Sequence, residues 1–215
     1  VVEPDTRSSL PGLFIAGEDA GGAHGANRLG GNGVANSTVF GGIAGDEMAA
    51  EVADLLHWRE PDLDLVHREI DACVEPFNKP SGDINGIRDR LLDLMWDQVG
   101  VLRDADRLQT ALSGLSDLRA ELSDTGLSGQ SPVFNLSWHD WLNLRSLIDV
   151  SEVIAQASLS RENSRGAHFR EDFPDAGSLE DSYFTLVEKQ QGDYRVERRP
   201  VEFSIVKPGE SLIND

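Results

Sequence analysis

His24-Gly25-Ala26-Asn27-Arg28-Leu29-Gly30-Gly31-Asn32-Gly33 sets one imidazole and one guanidinium in a run that is otherwise mostly glycine, alanine and asparagine. Such a run has too few side chains to pack as a strand and too many glycines to hold a helix, so it reads as a loop that lets something approach its backbone. Upstream, Pro11-Gly12 turns the chain into Leu13-Phe14-Ile15-Ala16, an apolar run of the length of a buried strand, which ends at Gly17-Glu18. Downstream, a helix is expected from Val34 to Trp58, with Val39, Ile43, Met48, Val52, Leu55 and Leu56 on its apolar side and Gly41, Gly42 and Gly45 on another. The loop therefore ends at a helix N-terminus, whose unpaired N–H groups favour anions. An arginine there can hold a carboxylate in a two-pronged fork that lysine cannot copy. The residues alone leave two readings open: an anion-binding loop, or a surface on which Arg28 forms an ion pair and His24 acts as a helix-end donor. The dinucleotide fingerprint G-x-G-x-x-G is absent, because Asn36 stands where its third glycine would be.

The 215 residues carry 38 acidic against 19 basic side chains, a net charge of −19. A surface that negative repels phosphate backbones and anionic lipid, and no basic stripe interrupts it, which argues against nucleic acid as a partner. No apolar run approaches the length of a membrane span, so none is expected. The single cysteine, Cys73, excludes an internal disulfide framework and a cysteine-based metal site, and no metal site is expected. The opening Val1-Val2-Glu3-Pro4, without methionine, leads to the expectation of a piece of a longer chain. About half of the 21 glycines precede residue 46, whereas the remainder is richer in Leu, Asp, Glu and Arg.

Beyond a polar connection holding Pro61, Pro76 and Pro80, three segments show helical spacing. The first spans about Ile84 to Val99, with Ile87, Leu91, Leu94, Met95 and Val99, and stops at Gly100. The second spans about Asp104 to Leu122, with Leu108, Leu112, Leu115, Leu118 and Leu122. The third runs from a cap at Ser137 to about Leu159, with Trp138, Trp141, Leu142, Leu147, Ile148, Val153, Ile154 and Ala157. Three amphipathic helices with short links predict a small bundle. From Ser164 the character changes again, with alternating strands expected around Tyr183 to Val187 and Tyr194 to Phe203. The fold class expected is a mixed α/β fragment in three segments, 1–58, 59–163 and 164–215.

Four of these stretches together resemble the succinate dehydrogenase and fumarate reductase flavoprotein family. They are Leu10 to Glu18, His24 to Gly33 with Val39-Phe40-Gly41-Gly42, Met95-Trp96-Asp97-Gln98-Val99-Gly100-Val101, and Arg161-Glu162-Asn163-Ser164-Arg165-Gly166-Ala167-His168-Phe169-Arg170-Glu171-Asp172-Phe173-Pro174. The resemblance implies a C-terminal piece of an FAD-binding domain, then a three-helix bundle and a small β-containing tail. It implies FAD as cofactor, with Glu18 accepting hydrogen bonds from the cofactor's sugar-like chain and Asn32, Gly33 and Val34 facing the flavin ring. Gly33 and Val34 replace a Ser-Leu pair common in membrane-complex members, leaving backbone contact there. Arg28, joined by His24, would bind a carboxylate of a dicarboxylate substrate. Arg165 and His168 would either serve the site or pack the tail.

The implied activity is hydride transfer between flavin and a dicarboxylate, with no catalytic acid or base in this chain, which alone is expected to be inactive. The implied partners are the N-terminal FAD and capping part of the same flavoprotein and an iron-sulfur subunit, in a cytoplasmic setting peripheral to the membrane. Two alternatives accompany this reading. One is an L-aspartate oxidase-like flavoprotein; the other is a non-catalytic helical interaction module when the chain is isolated from its N-terminal part.

Overall fold

The computed structural model describes residues 2–28, 30–55, 60–190 and 192–211. The chain divides into two compact units, Val1–Glu60 with Arg165–Ala167, and Pro61–Ser164 with His168–Asp215.

In the first unit the segment expected as a buried strand, Leu13 to Ala16, makes among the described residues one isolated antiparallel bridge, Phe14 with Arg7, beside a second bridge of Val2 with Ser8. Leu13 is exposed, and no neighbouring ladder among the described residues encloses Phe14 to Ala16. Arg7 gathers Asp5, Glu47 and Glu51 around its guanidinium, at 3.0, 3.0 and 2.5 Å, and so ties this segment to the long helix α1, Asn32–Asp54. The helix starts two residues earlier than its apolar spacing suggests, because Gly31 takes the left-handed cap conformation (φ 88°) that a side chain resists. Its last described residues end at Asp54; Leu56 and Trp58, expected within it, lie outside the described residues. Of the helix only Asn36 and Ala44 are buried. Val39, Met48, Val52 and Leu55, expected to face a core, are exposed.

The second unit opens with a helix where a polar connection was expected, α2, Leu63–Val74. The Asp62 carboxylate caps it by accepting from the Leu65 N–H at 3.0 Å, and Pro61 stands outside it. Leu63, Val66, Ile70 and Val74 form a stripe at helical spacing that is left exposed among the described residues. The bundle follows: α3, Ile84–Val99; α4, Ala105–Asp124; and α5, Leu136–Ser160. Asp83 caps α3 and Asp104 caps α4. The cap of α5 is Asn135 rather than Ser137, its side-chain oxygen accepting from the Trp138 N–H at 3.0 Å.

Each bundle helix packs on the other two. Ile87, Leu91, Val99, Leu108, Ala111, Leu115, Leu118, Leu122, Trp141, Leu144, Ile148 and Ala155 make the core. Each large aliphatic side chain buried there contributes roughly 1.5–3 kcal/mol. On α5 the buried stripe is Trp141, Leu144, Ile148 and Ala155, whereas Leu147, Val153 and Ile154 face solvent. Spacing alone places Trp141 and Ile148 inside but misses Leu144 and Ala155.

Two short ladders complete the unit. β1, Leu102–Arg103, lies parallel to β2, Phe169–Arg170, with Leu102 opposite Phe169 and Arg103 opposite Arg170. β3, Tyr183–Gln190, pairs antiparallel with β4, Asp193–Pro200, and both rest on α5. The hairpin is pinned by the Tyr194 hydroxyl, which donates to Glu152 at 2.5 Å while Arg119 holds the same carboxylate. Burial and that carboxylate push the Tyr194 phenol up to about 12. No helix among the described residues is long and apolar enough to cross a membrane.

Candidate cofactor and substrate site

The site grows from the turn before α1. Gly17 takes a left-handed backbone (φ 85°) and opens a single 3-10 turn, Gly17–Asp19, which exposes Glu18. Asn36, 7% exposed, fixes that turn to the helix: its Nδ2 donates to the Gly17 carbonyl at 3.1 Å. A side chain on Gly17 would sit 3.2 Å from the Ser37 hydroxyl, so turn and helix meet with no room to spare.

The loop then passes through His24, which is half-buried, and Arg28, which is exposed. Glu18, His24, Arg28, Gly33 and Val34 meet around one open concavity of about 620 Å³, joined by Gly31, Asn36, Ser37 and Thr38. Asn32, the first residue of α1, is not part of its wall.

The N-terminus of α1 has no side-chain cap and no acidic residue in its first turn. Its leading N–H groups are thus left to a ligand, with the positive end of the helix dipole behind them. Arg28 makes no hydrogen bond or ion pair among the described residues, although acidic groups outnumber basic ones two to one. Its guanidinium lies across Gly33 instead: a β-carbon there would be 2.6 Å from Nη1 and 3.2 Å from Cζ. The concavity therefore offers a planar cation, an uncapped helix end and one carboxylate at its edge. That set suits an anionic ligand beside a group bearing hydroxyls. No cluster of three metal-binding side chains occurs among the described residues.

The structure separates Arg165 from His168. Arg165–Ala167 returns to the loop, where the Ala167 N–H donates to the Ala26 carbonyl at 3.4 Å. Gly166 (φ 57°) lies so near that carbonyl that any β-carbon would collide with it. His168 belongs to the other unit. Its Nδ1 accepts from Arg103 at 2.9 Å and its Nε2 donates to the Arg161 carbonyl at 3.1 Å, which assigns the proton to Nε2. Burial first, then the nearby Arg103, Arg161 and Arg170, lower its pKa and keep the ring neutral. Asn36 was the residue sequence reasoning undervalued. It broke the glycine fingerprint, and that break was the signal of a polar side chain with a structural task.

Residues 2–34 match the FAD binding domain model and residues 88–212 match the model described as fumarate reductase flavoprotein C-term. A flavoprotein portion is thus defined at both ends of the chain. The chain belongs to the succinate dehydrogenase/fumarate reductase flavoprotein family, as a C-terminal portion covering part of the FAD-binding domain and the C-terminal domain. It is 33% identical over 187 residues to the 8-methylmenaquinol:fumarate reductase flavoprotein subunit of Wolinella succinogenes, covering 83% of this chain and 30% of that protein. It is 30% identical over 215 residues to the fumarate reductase flavoprotein subunit of Haemophilus influenzae, covering 98% of this chain and 36% of that one. Sdh1 of Mycobacterium smegmatis, solved in complex with UQ1, superposes with a TM-score of 0.89 at 31% identity over 95% of this chain and 35% of its own. The chain thus spans about a third of the length of these relatives.

Proposed function

We propose that this chain is the C-terminal portion of an FAD-dependent oxidoreductase of succinate dehydrogenase/fumarate reductase type, moving hydride between flavin and a dicarboxylate. The observation that carries the reading is Arg28, a cation without a partner among the described residues, at the rim of a concavity shared with an uncapped helix N-terminus. FAD, when bound, supplies the group that takes up and returns hydride.

This chain's residues do the holding. Glu18 accepts hydrogen bonds from the cofactor's hydroxyl-bearing chain. The backbone at Asn32, Gly33 and Val34 presents the helix N-terminus to the ring. Arg28 forks onto one substrate carboxylate and fixes its orientation, with His24 on the same wall as a second polar contact. In this reading the proton is handled elsewhere in the flavoprotein, and the chain by itself is inactive. The exposed apolar positions of α1, Val39, Met48 and Val52, support an N-terminal FAD and capping part as the partner that covers them. An iron-sulfur subunit would take the electrons onward, placing the assembly in the cytoplasm and peripheral to a membrane.

The test is Arg28→Ala in the complete flavoprotein. Turnover of succinate or fumarate is lost while flavin content stays near that of the parent; an unchanged rate would overturn the reading. An L-aspartate oxidase-like activity, with Arg28 on an amino-acid carboxylate, is separated by assaying aspartate beside succinate. A second reading, a helical interaction module when the chain is isolated, is favoured by the uncovered stripe of α2, Leu63, Val66, Ile70 and Val74.

A further inference from the structure

Resting on the reading of Arg28 as the carboxylate clamp, we propose that Arg165-Gly166-Ala167 is a positioning finger for the loop that carries His24 and Arg28. Gly166 within it sets how well that loop holds a dicarboxylate. Residues 165–167 belong to the same unit as the loop, whereas Ser164 and His168 on either side belong to the other. The contact is backbone on backbone. The Ala167 N–H donates to the Ala26 carbonyl at 3.4 Å. A β-carbon on Gly166 would lie 2.5 Å from the Ala26 carbonyl carbon and 2.9 Å from its Cβ, with the carbonyl oxygen nearer still. Ordinary van der Waals contact begins near 3.4 Å, so one segment or the other would have to retreat by about an ångström. The nearest obstructing atoms are main chain rather than the far end of a flexible side chain. Gly166 also stands at φ 57°, in the left-handed region where an added side chain is strained.

Ala26 stands two residues from His24 and two from Arg28. Among the described residues, residues 21–28 make one hydrogen bond to the chain outside the loop, and it is the one from Ala167. Gly22 and Gly25 are left-handed, at φ 95° and 62°, and the loop has few side chains with which to hold itself. Where Ala26 rests on Gly166 therefore decides where the two polar side chains start from. The finger itself leaves a held point: Ser164 donates its N–H to the Asp175 carbonyl at 3.0 Å and its hydroxyl to the Phe173 carbonyl at 2.8 Å. The turn of Glu18 is fixed separately, by Asn36 on the Gly17 carbonyl. Placement of the loop is thus separable from the residues read as holding the flavin. A guanidinium carried off by about an ångström no longer meets both oxygens of a carboxylate, and misplacement of that size weakens binding by one to two orders of magnitude.

The experiment uses the complete flavoprotein and compares two finger variants, Gly166→Ala and Ala167→Pro, with Gly192→Ala and Arg28→Ala. The first crowds the Ala26 carbonyl and the second deletes the N–H that reaches it. Gly192 also has a positive φ, 97°, but a β-carbon there would meet nothing within 4 Å, so its variant carries the backbone strain without the collision. The primary readout is the Kd of malonate, an unreactive dicarboxylate, from the perturbation of flavin absorbance, beside flavin content. Both finger variants are expected to raise that Kd about ten- to a hundredfold with flavin content unchanged, and Gly192→Ala to leave it at the parent value. Added to Arg28→Ala, Gly166→Ala is expected to cost little further, because the cation it displaces is gone. Malonate affinity equal to the parent in either finger variant, with affinity lost in Arg28→Ala, overturns the finger and leaves the clamp standing. Unchanged affinity in Arg28→Ala overturns the clamp and the finger's role together. Loss of flavin in the finger variants, or an equal rise in Kd in Gly192→Ala, assigns the effect to packing at large and likewise overturns the role toward the loop.

Discussion

Arg170, 1% exposed, grips both carboxylate oxygens of Asp172, Nε to Oδ1 and Nη2 to Oδ2, each at 2.7 Å. Its remaining nitrogen, Nη1, donates to the carbonyls of Ser158 and Leu159 at 2.9 Å and so closes the C-terminus of α5. Asp172 in turn accepts from the Ala105 N–H at the start of α4. One ion pair thereby joins the end of one bundle helix, the beginning of another and the tail.

Replacing Arg170 by alanine removes its bonds to Asp172 and strands the helix-end carbonyls. The expected cost is about 1–3 kcal/mol, that of leaving the buried carbonyls at the end of α5 without a donor. Urea unfolding followed by circular dichroism measures it. A midpoint shift equivalent to less than about 1 kcal/mol would show that the clasp is ornamental.

The same pair makes an acid limb of stability. The hydrogen bonds from Arg170 hold the Asp172 carboxyl down at about 2, against an ordinary 3.8. Between those values the unfolded chain binds the proton and the folded one does not, so this stabilisation is complete above about pH 4 and is lost as pH falls through 2. Acid titration of the parent and Asp172→Asn, followed by tryptophan fluorescence, is expected to show a flatter limb for the variant.

His168 acts in a higher range. Its pKa is lowered in the fold, so the unfolded chain takes up the proton first as pH drops through about 6.5, the ordinary histidine value. Stability from this residue is therefore full above that point and declines below it. A protonated ring would also present a second donor to Arg103. Urea midpoints measured from pH 8 to 5 are expected to fall in the parent and to fall less in His168→Gln.

Asn36→Asp tests the joint between the turn of Glu18 and α1. The aspartate keeps the size but puts an acceptor against the Gly17 carbonyl, where Nδ2 now donates. Asn36→Ala is expected to cost about 1–2 kcal/mol and Asn36→Asp more, since it buries an unpaired charge. Thermal melts of the two variants give the order, and equal midpoints would dismiss the joint.

Gly166→Ala probes the return of the tail to the loop. A β-carbon at a left-handed position that collides with the Ala26 carbonyl is expected to expel Arg165–Ala167 from its place. Hydrogen exchange at the Ala167 amide should then rise at least tenfold, and unchanged protection would remove the glycine's role.

Local signals on neighbouring residues were readable in advance. A clean three-to-four pattern with Gly100 after it places α3 over Ile84 to Val99, where it stands. The glycine run at 30–33 places the loop beside the start of α1. What escaped depends on partners far along the chain. The three prolines masked α2, since Pro61 precedes its cap and Pro76 opens the 3-10 turn after it. On α5 both Leu144 and Leu147 fit an apolar stripe, and only packing against α3 and α4 decides that Leu144 is inside. At the candidate site, nothing in the spacing of Arg165-Gly166-Ala167 says that it returns to Ala26.

The parallel pairing of β1 with β2 carries a kinetic implication. It sets Arg103 opposite Arg170 across a closure of more than sixty residues, an entropic disadvantage that must be met before the ladder gains anything. Asp172 travels on the same short segment as Arg170 and arrives with it. The tail thus carries its own counter-charge into place. On contact separation, the segment from His168 to Asp172 is expected to latch onto the Ala105 amide and the α5 carbonyls after α4 and α5 have paired. A latch made last is also the first to open, which puts the earliest loss of structure under stress at this seam rather than in the leucine-lined interior of the bundle.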